Sequence, residues 1–289
     1  MALRIVTDST CDLPPELVAQ HRIAVVPLVV LFGDEALQDG VDISSERFFR
    51  RLVRESKLPT TSQPAPAAFR ATYERLREEG ATEILSIHIS GKLSRTLESA
   101  RQAAEGLDGV RVVHVDSELA TLALGMGVVR AAEAVAAGCG LDEAADIVRS
   151  HFRRTHCLFL VDTLEYLRRG GRIGRAQEIV GSLLKVKPIL SLEGGEVVPV
   201  GRARTKQRAV EEILRRAAEF RPVEQMMAVH ATTPEDLKYL VERLHGLAPQ
   251  ARLTVGRITP VIGVHAGPGL LACAVVTAES DSLAPPLEA

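Results

Sequence analysis

Two α/β domains, the N-terminal one built on a mainly parallel sheet covered by helices, are the fold this sequence predicts. Three observations carry that reading. Apolar, β-rich runs alternate with amphipathic helical runs through the first half of the chain. Ile84–Ile89, a helical face on Leu97, Ala100, Ala104 and Leu107, and then Val110–Val115 make a strand–helix–strand unit, which pairs its strands in parallel. Beyond about residue 155 the pattern changes to a hairpin and a basic, glycine-rich turn, so the expected division is 1–157 and 158–280, with a tail at 281–289.

The elements are expected in this order. Leu3–Thr7 is a strand, followed by a helix over Leu13–His21 with Pro14 and Pro15 at its start. Ala24–Leu31 is a second strand. Phe48, Phe49, Leu52 and Val53 mark a helical face after Ser44, and Phe69, Tyr73 and Leu76 mark the next at i, i+4, i+7. After the strand–helix–strand unit come an alanine-rich helix from Leu119 to Gly138 and another from Leu141 to Thr155. Leu158–Val161 is a strand and "RRGGRIGR" a basic turn. Pro188–Leu192 and Glu196–Val200 flank Gly194-Gly195, a hairpin whose turn needs residues free to take positive φ. A helix over Ala209–Phe220, strand Met226–Ala231, a helix with Thr233 as N-cap and Pro234 at its first position, and strands Arg252–Ile258 and Leu270–Thr277 complete the chain.

Composition narrows the function classes. The chain has 289 residues, 46% hydrophobic and 25% charged, as in an ordinary globular protein with a substantial core. A formal net charge of −2 provides no global field toward nucleic acid or a membrane surface, and 3% aromatics without Trp disfavour base stacking. Cys11, Cys139, Cys157 and Cys273 form no C-x-x-C pair, which fits a reducing cytoplasm, and no H-x-x-x-H pair suggests zinc. "MALRIVTDST" runs straight into a strand, so no leader is expected, and no apolar run reaches transmembrane length.

Four stretches carry chemistry. "LPTTSQPAP", residues 58–66, sets Thr60, Thr61 and Ser62 between prolines, a hydroxyl-dressed loop without charge. "ISGKLSRT", residues 89–96, leaves a strand and enters a helix with Ser90, Ser94 and Thr96. In an open parallel sheet that is where free helix N–H groups meet ligands. Hydroxyls dominate and no G-x-x-x-x-G-K-[ST] is present, so a single negative charge fits better than a polyphosphate. "VIGVHAGPG", residues 261–269, places His265 after a short apolar strand, on a loop before a Gly-Pro-Gly turn. His88 and His114, inside strand patterns, read as core residues, and Asp8 as a loop-organising residue because no D-x-D accompanies it. The basic segment holds Arg168, Arg169, Arg172, Arg175, Lys185, Lys187, Arg202, Arg204, Lys206 and Arg208, with little acid near it in sequence, and suits an acidic or phosphate-bearing partner.

"VTDSTCDLP", "LPTTSQP", "ISGKLSRTLESA", "DTLEYLRRGGRIG", "LLKVKPIL", "RTKQRA" and "HAGPG", in this order, resemble the DegV family of bacterial fatty-acid-binding proteins, which includes the binding subunits of fatty acid kinase. The resemblance covers about residues 3 to 277. It implies two α/β domains enclosing one long-chain fatty acid (C14–C18) in a tunnel, with no cofactor. The carboxylate would be held by Ser62 and Ser94, with Thr61 adjacent and His265 completing the polar end. It further implies that Arg169, Arg172 and Arg204 face a partner kinase that makes the acyl phosphate. A monomer is expected. One departure lies at Leu93-Ser94-Arg95-Thr96, where the family commonly has L-S-G-T; Arg95 would pair with the carboxylate if it points inward. The competing reading is a serine acyl hydrolase or thioesterase using Ser94 and His265. Against it stand the missing G-x-S-x-G elbow and the lack of a third residue to orient the histidine.

Overall fold

The computed structural model describes residues 2–182 and 186–279; Lys185 of the basic segment and the tail beyond Glu279 lie outside them. Strand β1 (Ala2–Asp8) passes through a 3-10 turn, Ser9–Cys11, into helix α1 (Pro15–Gln20). The single strand expected over Ala24–Leu31 is two, β2 (Ala24–Val26) and β3 (Val29–Phe32). Pro27 between them has no N–H for a ladder, and the chain changes sheet there. A short strand that was not expected, β4 (Glu35–Gln38), pairs back on β3. Helix α2 (Ser45–Leu52) is capped by the Ser44 hydroxyl and buries Phe48, Phe49 and Leu52, while Val53, expected on the same face, is exposed.

The hydroxyl stretch is a strand, β5 (Thr60–Ser62), on the edge of the β4-β3-β5 sheet, rather than a loop. Helix α3 (Pro66–Glu78) buries Phe69, Tyr73 and Leu76 at the expected spacing. Strand β6 (Ala81–His88), helix α4 (Thr96–Ala104) and strand β7 (Arg111–Asp116) form the expected strand–helix–strand unit. With β1 and β2 they make a four-stranded sheet, order β2-β1-β6-β7, parallel throughout. Helices α5 (Thr121–Ala136) and α6 (Leu141–Arg153) follow. From Leu122 to Ala134 nearly every α5 residue is buried; a helix apolar all round must be covered all round. It packs on β1 on one side.

The second half starts with strand β8 (Thr155–Leu160) and helix α7 (Glu165–Arg169), then a 3-10 segment, Gly174–Ser182. Strands β9 (Lys187–Glu193) and β10 (Glu196–Ala203) form the expected hairpin, with Gly194 and Gly195 both at positive φ in its two-residue turn. Helix α8 (Lys206–Ala217), strand β11 (Val223–His230), helix α9 (Pro234–Leu247) and strand β12 (Arg252–Arg257) come next. Thr233 occupies the N-cap of α9 and Pro234 its first turn as expected, but the Thr233 hydroxyl makes no capping bond. Helix α10 (Pro260–Ala266) and strand β13 (Leu271–Thr277) finish the fold. The six-stranded sheet runs β10-β9-β8-β13-β11-β12 and is mixed, only the β11–β12 pair being parallel. Helix α5 also packs on β11, so one helix is shared by both halves. The largest apolar core accordingly contains Ile5, Leu85, Leu122, Phe159 and Met227 together.

Candidate functional site

A cavity lies in this shared core, beyond the carboxyl end of β6, where ligands of parallel sheets bind. The space between its walls is ≈ 1040 Å³, counting the solvent at its mouth. Its walls come from both halves: Ile89 and Leu93 after β6, Leu122 and Ala123 of α5, Phe159 of β8, Met227 and Val229 of β11, Ala272 and Ala274 of β13, and Ile262 and Ala266 of α10. These side chains are apolar and offer an occupant no hydrogen bond. The polar residues on the wall are Thr61, Gln63, Ser94, Thr121, His265 and Arg172, and Arg172 is the one Lys, Arg, Asp or Glu on the described wall.

The central contact joins residues 204 apart in sequence: Thr61 Oγ1 lies 2.8 Å from His265 Nε2. Strand β5 presents Thr61 inward because successive side chains alternate faces, and for the same reason Ser62 points away. Ser62 is exposed, donates its hydroxyl to the Gln63 carbonyl at 3.1 Å, and does not line the cavity. His265 stands on helix α10, not on a loop. The run "VIGVHA" is too short for periodicity to separate strand from helix, and Thr259-Pro260 starts the helix. The other ring nitrogen, Nδ1, is buried without a partner, and Gly170 lies so close that a Cβ there would overlap it. Burial, with the Arg172 guanidinium adding to it, pushes His265 down to about 4, so the ring is neutral at pH 7.

Ser94 lines the cavity in the turn before α4. It is not the N-cap: that position is Arg95, and the Ser94 and Thr96 hydroxyls lie 2.8 Å apart. Arg95 is exposed and pairs with Glu98 at 3.3 Å, so it points outward. Arg172, expected on a partner-facing surface, is half-buried. Its Nε donates to the Leu93 carbonyl at 2.9 Å and its Nη1 to the Gly170 carbonyl at 2.6 Å. Thr61, Arg172 and His265 also line an outer cleft with Lys57, Tyr166 and Arg169. The polar end therefore stands between the apolar cavity and the outside. Two wall residues were not among the expected contacts: Gln63, inside the hydroxyl stretch, and Thr121, a β-branched residue at φ 59 where a helix begins and without any sequence signal.

The basic segment is less bare than its sequence suggested. Arg168 and Arg169 both pair with Glu165, Arg175 with Glu193, Lys187 with Asp162 and Lys206 with Asp236. Arg169 and Arg204 are exposed; Arg204, between β10 and α8, has no ion pair among the described residues. Asp8 organises a loop as expected, accepting from the Thr10 and Ile89 amides. His88 is fully buried and His114 partly so. Among the described residues no cluster of His, Cys, Asp and Glu suits a metal ion, and no helix is long and apolar enough to cross a membrane.

Comparison with known proteins identifies the family of the chain. A family model described as an uncharacterised protein, DegV family, matches residues 2–278. A DegV domain-containing protein of Streptomyces coelicolor is 43% identical over 276 residues, covering 94% of this chain and 97% of that one. Among solved structures, a DegV family protein from Thermus thermophilus, described for its fatty acid binding, superposes with a TM-score of 0.89 at 36% identity, over 96% of this chain and all of the other. DegV of Bacillus subtilis, described as a fatty acid binding protein, superposes with a TM-score of 0.87 at 33% identity, over 96% of this chain and 99% of the other. The chain belongs to the DegV family.

Proposed function

We propose that this protein binds one long-chain fatty acid, of C14–C18 length, in the cavity between its two halves, which divide near residues 157/158. The acyl chain lies along the apolar walls, and the carboxylate sits where Thr61, Ser94 and His265 converge. The observation that carries the reading is that Thr61, the neutral His265 and the Arg172 guanidinium stand where the cavity meets the outer cleft, while most of the remaining wall is aliphatic with Phe159. The solved relatives described as fatty acid binding support it. Ser62 leaves the proposed contact set because it stands on the outer face of β5. Arg172 joins it as the nearby positive charge.

The energetics divide the labour. Burying an acyl chain gains about 0.8 kcal/mol per methylene, so about fourteen methylenes contribute on the order of 10 kcal/mol before ordering costs. Each charge-assisted hydrogen bond at the carboxylate adds about 1.5–3 kcal/mol and fixes which end faces out. With its carboxylate at the mouth, the lipid is presented to a partner kinase for acyl phosphate formation. Arg169 and Arg204 are the surface proposed to meet that partner, and Arg172 lies at the boundary of both roles. The resemblance to kinase-linked relatives supports this step. The protein itself acts as a carrier, and as a monomer. Retention is favoured over hydrolysis because His265 is bonded to Thr61, Ser94 to Thr96, and no carboxylate meets His265 Nδ1.

Mass spectrometry of the purified protein, native and then denatured, tests the reading. The expected result is a mass excess of one C14–C18 fatty acid, lost intact on denaturation. An acyl group that survives denaturation would move the assignment to a serine acyl-enzyme, and a protein that stays empty after incubation with palmitate would overturn the carrier reading.

A further inference from the structure

The N-terminal motif "VTDSTCDLP" contributes no residue to the apolar cavity, yet it places a buried carboxylate, Asp12, against the helix that carries His265. Asp12 Oδ1 accepts the Thr259 amide at 2.8 Å. Asp39, equally buried, accepts the Val261 amide through Oδ1 at 3.4 Å. Pro260 between them has no N–H to offer, so the two carboxylates take the amides on either side of it, at the start of α10. Asp39 Oδ2 is in turn held by the Ser9 hydroxyl at 2.7 Å, and Ser9 Oγ accepts the Leu28 amide at 3.1 Å. The corner thus ties the end of β1, the β2–β3 connection and the residue after β4 to one short helix.

The expense of this arrangement argues that it has a use. Among the described residues neither Asp12 nor Asp39 has a Lys or Arg partner within ion-pair distance. Burial pushes Asp39 up to about 7 and Asp12 well above the ordinary carboxylate range. Backbone amides and the positive end of the helix offset part of that penalty, which an apolar corner would not incur at all. Helix α10 has little freedom to absorb a shift at its start. Its middle residue, Gly263, lies against the Phe48 and Phe49 rings, where no Cβ would fit. Its last turn brings His265 onto Thr61.

We propose that Asp12 and Asp39 are positioning residues for His265: by fixing the N-terminus of α10 from the first half of the chain, they set the His265–Thr61 contact at the mouth of the cavity. They touch no ligand themselves. The inference rests on the fatty acid reading for its binding consequence, but its structural consequence can be read without lipid.

The experiment is a double-mutant cycle with two readouts: palmitate affinity by titration, and the His265 ring nitrogen signals by NMR on lipid-free protein, assigned by their loss in His265→Ala. Asp39→Ala and Asp12→Ala are each expected to weaken palmitate binding by about three- to ten-fold, the worth of one hydrogen bond. Combined with His265→Ala, neither weakens it further, because sites acting through one another are not additive. The His265 ring signals shift in both single variants. Asp39→Asn, which keeps an acceptor for the Val261 amide, returns them toward the wild-type position. Full additivity with His265→Ala, or unmoved ring signals, overturns the proposal. If the alanine variants do not fold, Asp12→Leu and Asp39→Leu, which fill the same space without an acceptor, are read in their place by the same criteria. If the wild-type protein retains no palmitate, the fatty acid reading fails, and the ring signals alone decide this one.

Discussion

Two histidines in this molecule have opposite surroundings, and the contrast separates scaffold from site. His88 has both ring nitrogens engaged: Nε2 lies 2.7 Å from Ser86 Oγ and Nδ1 3.0 Å from Asp8 Oδ2. That is the connectivity of a serine–histidine–aspartate triad, extended by Tyr73 at 2.8 Å from the same serine. Yet Ser86, His88, Asp8 and Tyr73 are all 0% exposed, and neither Ser86 nor His88 lines the apolar cavity or the outer cleft. A nucleophile that no substrate can reach is a fastening between α3, β6 and β1. His265 is the reverse case, with one nitrogen engaged, the other unpartnered, and a cavity beside it. In this pair, complete hydrogen bonding marks the fastening, and the one free ring nitrogen belongs to the histidine that stands on the apolar cavity's wall.

The largest effect is expected where the frame is broken. Asp8→Ala would leave His88 Nδ1 and the Thr10 and Ile89 amides without their acceptor, all in a dry interior. A loss of about 3–5 kcal/mol in unfolding free energy is expected, measured by denaturant titration. The same substitution logic at His265 should cost far less stability. If His265→Ala proved as destabilising as Asp8→Ala, the division into frame and site would collapse.

His151 sharpens the comparison because it is unfinished but lines neither the apolar cavity nor the outer cleft. It is 1% exposed, and neither ring nitrogen has a partner. Burial pushes it down to about 4, with Arg154 adding to the effect. Native His151 therefore stays neutral while the unfolded chain takes up a proton below about 6.5, so its contribution is intact above pH 6.5 and is lost as pH falls toward 4. His151→Leu is expected to remove up to about 3 kcal/mol of this acid sensitivity. The check is the difference between wild-type and variant stability at pH 7 and pH 4.5. That difference isolates His151 from His114 and His265, which move the same way, and from Asp39, held up to about 7, which moves oppositely. Parallel curves would mean the ring is solvated.

The two arginines Arg169 and Arg172 divide along the same line. Arg169 is exposed and already paired with Glu165, whereas Arg172 reaches the cavity wall and, among the described residues, has Nη2 left over beyond its two carbonyl contacts. Arg172→Met is expected to weaken palmitate retention about ten- to a hundred-fold, the range of one charge-assisted hydrogen bond. Arg169→Ala is expected to leave retention unchanged while weakening capture of a cognate kinase. Equal losses of palmitate affinity in both variants would place the carboxylate outside the mouth described.

How much of this was legible in the sequence follows from how local each signal is. The parallel unit around β6 and the Gly194-Gly195 hairpin depend on spacing within a few residues, and they were read correctly. Thr61, Ser94 and His265 stood out as stretches. Their meeting did not, because no periodicity links residues 61 and 265. Pro27 broke a strand that its flanking valines made look continuous, since one missing N–H outweighs local β propensity. Choosing Thr61 over Ser62 requires knowing which face of β5 meets the core, and a one-residue difference reverses it. Arg172 turns inward through contacts with Leu93 and Gly170 that only tertiary structure supplies. Thr121 at φ 59 has no sequence signal at all, for threonine is not a residue expected there.

The smallest effect tests the alternation argument directly. Ser94 is a cavity residue whose hydroxyl has one neighbour, Thr96, and capacity for a second bond toward a carboxylate. Ser62, next to Thr61 on β5, spends its hydroxyl on the Gln63 carbonyl at the surface. Ser94→Ala is expected to weaken palmitate retention by about ten-fold with little change in thermal stability, the low end of what one charge-assisted hydrogen bond is worth (about 1.5 kcal/mol). Ser62→Ala is expected to change neither, within about 0.5 kcal/mol. Side-by-side titration decides between them. A loss at Ser62 equal to that at Ser94 would require β5 to present its other face when lipid is bound, and the polar end would then have to be rebuilt around Ser62 in place of Thr61.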